Sequence, residues 1–523
     1  MSTDKNEHDH SLRGILRSTS VMSLGTLASR ALGFVRDIIF AHFFGTAAGA
    51  DAFVVAFRLP NLFRDLVGEG AANSSFVPVM TEYKERKPEE LAGFLNAILV
   101  WAFIVLCAIT LACIVLAPLV VRLIAPGFAE EPGKLGMAVT LTRIMFPYLV
   151  LIGLTALFSA IQFAYGAFVM PAFGPCLLNI ALIASTLAAV AWMKTPVYGL
   201  AWGVLAGGFL QLYFQWRTLA GHGVVFRWPL TLFHPGARQI GRLLLPRLVG
   251  SAVYQLNVFV DTICASLTAI VGAGGISAIY YANRIVLFPM GVFGVALAAA
   301  TLPAFARHVV ADDKEELRRT IVFALENIFF VMMPTTIFLC LLAEPLTRVV
   351  FQRGVFDAYS TTVTASVLFF FSLGLMGYGG VKILASAFHA MQDTRTPVKV
   401  ALLCLVVNAA LNLILMFPMK LSGIALASAI ASLVNVGTLF MILERRLAGL
   451  KGAFGAYFAR LFAAGIVMGA LIWGLWHGLS GIPELARLFV AALLGGAGYL
   501  AAAFVFGLEQ ARQLVRKLIR LPS

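Results

Sequence analysis

Four arginines, Arg30, Arg36, Arg64 and Arg284, stand inside stretches that are otherwise apolar enough to cross a bilayer. A charged side chain at the bilayer centre costs about 2.5–3.5 kcal/mol. Four without compensation would cost on the order of 10–14 kcal/mol, as much as a whole domain is stable by. They must therefore face a wet, shared interior. Arginine rather than lysine is informative, because its planar fork grips phosphate or carboxylate oxygens in pairs and keeps its charge. Four such forks around one cavity suit a pyrophosphate. Ser29 and Asp37 stand beside the first two forks. Along the next span Asp51, Arg58 and Asp65 recur every seven residues, with Glu69 four further on, so they share one face of a helix. The plain alternative is a set of structural ion pairs, Arg58 with Asp51 or Asp65 first among them. Pro60 and Asn61 predict a kink or an unwound turn near Arg64.

Catalytic machinery has no candidate. There is no GxxxxGK[ST] loop, HExxH or Ser-His-Asp set. None of the six cysteines forms a CxxC pair, and all lie in apolar spans. Neither an enzyme nor a bound organic cofactor is therefore expected.

The elements that must carry these charges are membrane helices. Of 523 residues, 60% are hydrophobic and only 12% charged, which no soluble domain of this size shows. The expectation is an all-α polytopic membrane protein with fourteen transmembrane helices. The net charge of +14 does not point to nucleic acid, because the basic residues gather in short loops between apolar spans. Loops on one side, with both terminal tails, hold 25 of the 39 Lys and Arg. The opposite loops hold seven: Arg122, Lys134, Lys194, Arg348, Arg353, Lys420 and Arg487. The positive-inside rule makes the richer side cytoplasmic, with both termini there. Arg143 reads as a snorkelling residue at a span end. Lys382 has two readings, a cavity charge or a partner for Glu326.

An internal repeat organises the chain. Asp37 lies over Asp261, 224 residues on, and Arg58 over Arg284, 226 on. Ser159 and Pro171 echo Ser386 and Pro397; Gly199, Ala201 and Gln211 echo Gly423, Ala425 and Asn435. Each unit holds six helices, so the repeats share one orientation: two parallel six-helix lobes, as in alternating-access transporters. The expected divisions are a disordered tail at 1–14, an N-lobe at 15–220 and a C-lobe at 238–447. Two extra C-terminal helices follow at 453–508, then a basic tail at 509–523.

Six motifs resemble one family. Ser-Arg-Ala-Leu-Gly-Phe-Val-Arg-Asp (29–37) is similar to the first-helix signature of the lipid II flippases, the MurJ (MviN) family. Asp-Ala-Phe-Val-Val-Ala-Phe-Arg-Leu-Pro-Asn-Leu-Phe-Arg (51–64) resembles their second helix. Phe-Val-Pro-Val-Met-Thr-Glu-Tyr (76–83), Ala-Pro-Gly-Phe (125–128), Tyr-Tyr-Ala-Asn-Arg (280–284) and Gln-Asp-Thr-Arg-Thr-Pro-Val-Lys (392–399) also match. The resemblance implies the fold of the multidrug/oligosaccharidyl-lipid/polysaccharide exporter superfamily. It implies a protein of the bacterial cytoplasmic (inner) membrane that flips lipid II, the undecaprenyl-pyrophosphate-linked disaccharide-pentapeptide, in contact with membrane lipids and cell-wall synthesis proteins. Arg30, Arg36, Arg64 and Arg284 match the family's cavity arginines, and Asp51 and Glu69 fall on motif positions. Asn283 and Leu287 replace acidic residues that members often carry, so those positions give Arg284 no ion pair. Asp261, Asn408, Asn412 and Ser428 resemble the sodium ligands of some members; helix-packing contacts account for them equally well. The extra helices would border a groove for the polyprenyl tail, and membrane potential or a cation gradient would drive the step. Rival readings are an exporter of a drug or of another polyprenyl-linked glycan, and a cell-wall scaffold that transports nothing. Cationic drugs suit acidic cavities, which counts against the first.

Overall fold

The computed structural model describes residues 2–67, 71–224 and 234–519, with side chains over 20–62, 76–224, 234–242 and 255–516 apart from Lys451 and Ala453. Every regular element among them is helical. They divide into two compact units, Met1–Gln255 and Leu256–Ser523.

The first unit holds α1 (Ser2–Phe44), α2 (Ala48–Val67), α3 (Ala71–Arg86), α4 (Pro88–Val115), α5 (Ala117–Ile124), α6 (Lys134–Met145), α7 (Tyr148–Ala164), α8 (Val169–Trp192) and α9 (Val197–Gly221). The long α10 (Pro235–Ser266) crosses the division. The second unit continues with α11 (Thr268–Val271), α12 (Gly275–Pro289), α13 (Val295–Val310), α14 (Lys314–Leu341), α15 (Ala343–Phe351), α16 (Ala358–Leu373) and α17 (Leu375–Ala390). Then come α18 (Arg395–Met419), α19 (Leu421–Leu447), α20 (Lys451–Gly478), α21 (Glu484–Val505) and α22 (Glu509–Ile519).

Ten helical stretches among the described residues are long and apolar enough to cross a membrane, eleven if α16 and α17, bent by 44°, form one span. The chain is a multi-pass membrane protein. α1, which carries Arg30, Arg36 and Asp37, stands outside that count, and α2 and α10 lie partly outside the residues whose side chains are described. One further detail differs from expectation: α2 runs helically through Pro60 to Val67, with no unwound turn.

α8 is the hub of the first unit, packed along both α1 and α9. Small residues allow the approach: a Cβ on Gly25 would lie 2.7 Å from the Ala172 Cβ, and one on Gly199 2.2 Å from the Ala189 Cβ. The second unit repeats the device. A Cβ on Gly423 would lie 2.2 Å from the Leu415 carbonyl oxygen. Gly423 follows Gly199 by 224 residues and Leu415 follows Ala189 by 226, so the repeat is one of packing as well as of sequence. α20 and α21 pack together through Gly495 and Gly498, while Phe462, Ile466, Trp473 and Phe489 are left exposed, as lipid-facing residues are.

Candidate functional site

α1 and α8 build a polar clamp inside the first unit. On α1, Asp37 is buried and the Arg36 side chain is 13% exposed. Arg36 Nε and Nη2 donate to one Asp37 oxygen at 3.0 and 2.6 Å. Its Nη1 donates to Asn179 Oδ1 on α8 at 3.0 Å. Asn179 Nδ2 then donates to the backbone carbonyl of Ser29 at 3.1 Å, closing a loop over residues 29–37. Gly33 faces Asn179, and a Cβ there would lie in ordinary contact at 3.6 Å from Nδ2. Arg36 is thus held by partners on both α1 and α8. Arg30 is the opposite case, exposed and without an ion-pair or hydrogen-bond partner among the described residues.

α2 contributes less than its charge pattern promises. Asp51 is buried against Lys134, their side chains 1% and 2% exposed and 3.0 Å apart. Lys134 also binds Glu131 at 2.8 Å and sits 4.5 Å over the Phe128 ring. The segment before α6 has folded onto this lysine, which by sequence reads as an ordinary loop charge. Asp51, expected among the substrate-binding residues, is an interior anchor, because a buried and neutralised carboxylate offers nothing to an anionic ligand. The side chain of Arg64 and the whole of Glu69 lie outside the described residues.

In the second unit Arg284 is half-buried on α12. The Tyr280 ring, one turn earlier, lies beneath its guanidinium at 4.7 Å, and Arg284 Nη2 donates to the Tyr280 hydroxyl at 3.1 Å. An aromatic residue therefore does the restraining that Asn283 and Leu287 cannot. Leu287 is 50% exposed.

α10, α18 and α19 bring Asp261, Asn408, Asn412 and Ser428 together. Asn412 Nδ2 donates to Asp261 Oδ1 at 2.8 Å, and Ser428 Oγ to Asp261 Oδ2 at 2.9 Å. Asn408 Nδ2 donates to Ser428 Oγ, and Asn412 Nδ2 also to Asn408 Oδ1, both at 3.0 Å. Asn412 Oδ1 is buried with no hydrogen-bond partner. One carboxylate, two amide oxygens and a hydroxyl are hard donors, and with the orphaned acceptor among them they fit a hard cation.

Glu326 accepts from Gln510 Nε2 at 3.0 Å, tying α22 to α14, and its backbone carbonyl takes the Tyr457 hydroxyl. Lys382 is exposed, so of its two readings the pairing with Glu326 is not the one formed. Arg143 is exposed, and its Nε reaches the Ile114 carbonyl at 3.3 Å. Asn179 and Lys134 are neighbours that the motifs do not reveal, whereas Tyr280 opens the motif at 280–284, four residues before the arginine it supports.

The description "Lipid II flippase MurJ" belongs to the family model that matches residues 40–485. A lipid II flippase MurJ of Burkholderia cenocepacia is 34% identical over 518 residues, covering 95% of this chain and 98% of the relative. A probable lipid II flippase MurJ of Vibrio cholerae is 33% identical, covering 95% and 97%. A solved lipid II flippase MurJ in an inward closed conformation superposes with TM-score 0.80 at 25% identity, covering 95% of this chain and 99% of that one. An inward-facing multidrug resistance MATE transporter shares the fold at TM-score 0.68 and 15% identity, covering 82% and 96%.

Proposed function

Because the chain belongs to the lipid II flippase MurJ family, we propose that it carries lipid II across the bacterial cytoplasmic membrane by alternating access. It is a transporter and not an enzyme. The observation that carries the site assignment is the contrast between two arginines on one helix. Arg36 is held in place by Asp37 and Asn179, while Arg30 is exposed with no ion-pair or hydrogen-bond partner among the described residues. A fork oriented in advance loses little freedom when it meets the pyrophosphate, and a bare one has its full charge to offer. Arg64, Arg284, Ser29, Asp37 and Glu69 are further candidates for contact with the substrate by their motif positions.

The eleven spans together with α1, α2 and α10 make fourteen, two lobes of six and the extra pair α20–α21, which flanks the polyprenyl tail. The basic loops hold both termini in the cytoplasm. Outward movement of an anion in an inside-negative membrane gains roughly 2.3 kcal/mol per charge per 100 mV, which drives the step without ATP. Asp261, Asn408, Asn412 and Ser428 would hold a sodium ion. When bound, it would supply one positive charge against Asp261. The delivered lipid II then becomes available to cell-wall synthesis proteins on the outer face.

The test is lipid II translocation by purified protein in vesicles, with Arg30→Ala and Arg284→Ala variants compared at equal membrane abundance. Both are expected to lose translocation. Normal flipping by either variant would remove that arginine from the site, and no flipping by the wild-type protein would sink the function.

A further inference from the structure

The end of α21 gathers two guanidiniums at one point of the backbone and no carboxylate with them. Gly507 closes that helix in the left-handed region, with φ of 78°. Its N–H reaches the Phe504 carbonyl at 3.1 Å, and the Leu508 N–H reaches the Ala503 carbonyl at 2.9 Å, the hydrogen-bond pattern of a glycine-capped helix end. Leu508 is buried, and the chain leaves the span there to start α22. Gln510 pins the start of α22 to Glu326 on α14. Arg460, within two turns of Phe454 at the start of the α20 span, donates Nη1 to the Gly507 carbonyl at 3.5 Å. A Cβ on Gly507 would lie 3.3 Å from Arg512 Nη2 and 3.9 Å from Arg460 Nη1. Both arginines are exposed, and neither pairs with a carboxylate among the described residues. Glu509, close in sequence, pairs instead with Arg516 at 4.0 Å.

Helix capping accounts for only part of this. A helix C-terminus carries about half a negative charge, enough to favour one cation but not to neutralise two. The surplus positive charge stands at the end of a membrane span, where Val505, Phe506 and Leu514 are also exposed. A partner that satisfies both features brings phosphate oxygens for the two forks and hydrocarbon for the apolar side chains. We propose that Arg460 and Arg512 bind the phosphate of an anionic phospholipid in the leaflet beside the C-terminus, with its acyl chains against Val505, Phe506 and Leu514. A zwitterionic headgroup carries its own cation beside the phosphate and leaves the pair of guanidiniums in surplus. The Glu326–Gln510 bond holds α22 so that Arg512 stays beside Arg460. The site uses none of the arginines of α1, α2 and α12, and its occupant is a bilayer lipid rather than cargo.

The experiment follows backbone hydrogen exchange over 508–516 in the full-length protein, in phosphatidylcholine bilayers with and without phosphatidylglycerol. Each basic residue beside an anionic surface favours binding by about fivefold, so phosphatidylglycerol is expected to slow exchange by up to roughly thirtyfold. R460Q/R512Q is expected to lose that slowing, and R516Q to keep it. Should the double variant fail to fold, R512Q alone is read in the same way. Slowing that survives in folded R460Q/R512Q, or that R516Q removes just as fully, overturns the site and leaves a diffuse attraction to the basic tail. Slowing by inorganic phosphate in phosphatidylcholine alone, or by lipid II there and not by phosphatidylglycerol, overturns the phospholipid assignment. Lipid II flipping enters none of these readings, so they stand apart from the transport proposal.

Discussion

Replacing Asn179 by Leu separates positioning from packing. The change deletes the acceptor for Arg36 Nη1 at 3.0 Å and the donor to the Ser29 carbonyl at 3.1 Å. A hydrogen bond to a charged group contributes about 1.5–3 kcal/mol and a neutral one about 0.5–1.5. Between membrane helices the measured values run lower, averaging about 0.6 and reaching about 1.7 kcal/mol. Arg36 is only 13% exposed, so its bond belongs near the upper end of the membrane range, and the pair together should stabilise the fold by about 2 kcal/mol. The effect on transport has a different origin. If Asn179 aims Arg36 at the pyrophosphate, losing it removes about 1.5–3 kcal/mol from anion capture, roughly a 10- to 150-fold weaker half-saturation. Lipid II flipping in vesicles, measured over a range of lipid II content and normalised to folded protein, reads this directly. A folded Asn179→Leu protein with wild-type half-saturation would refute the positioning argument, leaving Asn179 as a packing residue.

Three further outcomes follow from the packing. Lys134→Met should cost about 3–5 kcal/mol by stranding the buried Asp51, whereas D51N/K134M should unfold much closer to wild type, because two neutral side chains leave no buried charge; thermal unfolding of both decides it. Gly25→Ala meets Ala172 at 2.7 Å, so overpacking of about 1–3 kcal/mol outweighs the helix gain, while Gly33→Ala meets nothing nearer than 3.6 Å and should stabilise by roughly 0.5–1 kcal/mol. Opposite signs in one unfolding series are the check. Asp393, in the turn before α18, accepts from the Thr396 hydroxyl at 2.6 Å and pairs with Arg446 at 2.7 Å. The Thr396 hydroxyl first, then its backbone N–H and Arg446, hold its carboxyl at about 2 against an ordinary 3.8. A lowered carboxylate stabilises above its unfolded value and loses that as pH falls through the folded one. The stability gap between wild type and Asp393→Asn should therefore be constant from pH 8 to 5 and close between pH 4 and 2; a gap that closes near pH 6 would contradict the assignment.

What the sequence made legible and what it hid divide along chain separation. Helices, repeat and charged positions are written in local periodicity and composition, so α1 with Arg30, Arg36 and Asp37 could be read directly. The partner of Arg36 could not, because Asn179 is 143 residues away on α8 and an asparagine in an apolar span carries no signal of what it faces. Lys134 misleads for a related reason. It follows Glu-Pro-Gly in a loop, and only folding of Phe128 and Glu131 onto it converts a surface charge into a buried one. The Asp261 cluster was readable as a set through family resemblance, but that Asn412 has a buried oxygen with no partner is a fact of three helices packed together.

These contacts also change the meaning of the insertion cost that singled the arginines out. Arg36 is neutralised by Asp37 and satisfied by Asn179, so it is held at little penalty whether or not a ligand is present. Arg284 is partly relieved by the Tyr280 ring and hydroxyl. Arg30 is exposed and has no such partner among the described residues. An arginine satisfied only by water gains most when a diphosphate displaces that water and accepts its fork, whereas one already bonded to a carboxylate gains least. The affinity for the pyrophosphate should therefore be concentrated at Arg30, with Arg36 supplying direction more than strength. In that case Arg30→Lys, which keeps the charge and loses the fork, falls between wild type and Arg30→Ala in half-saturation for lipid II. Arg36→Lys, which breaks the shared geometry with Asn179, should weaken half-saturation as Asn179→Leu does.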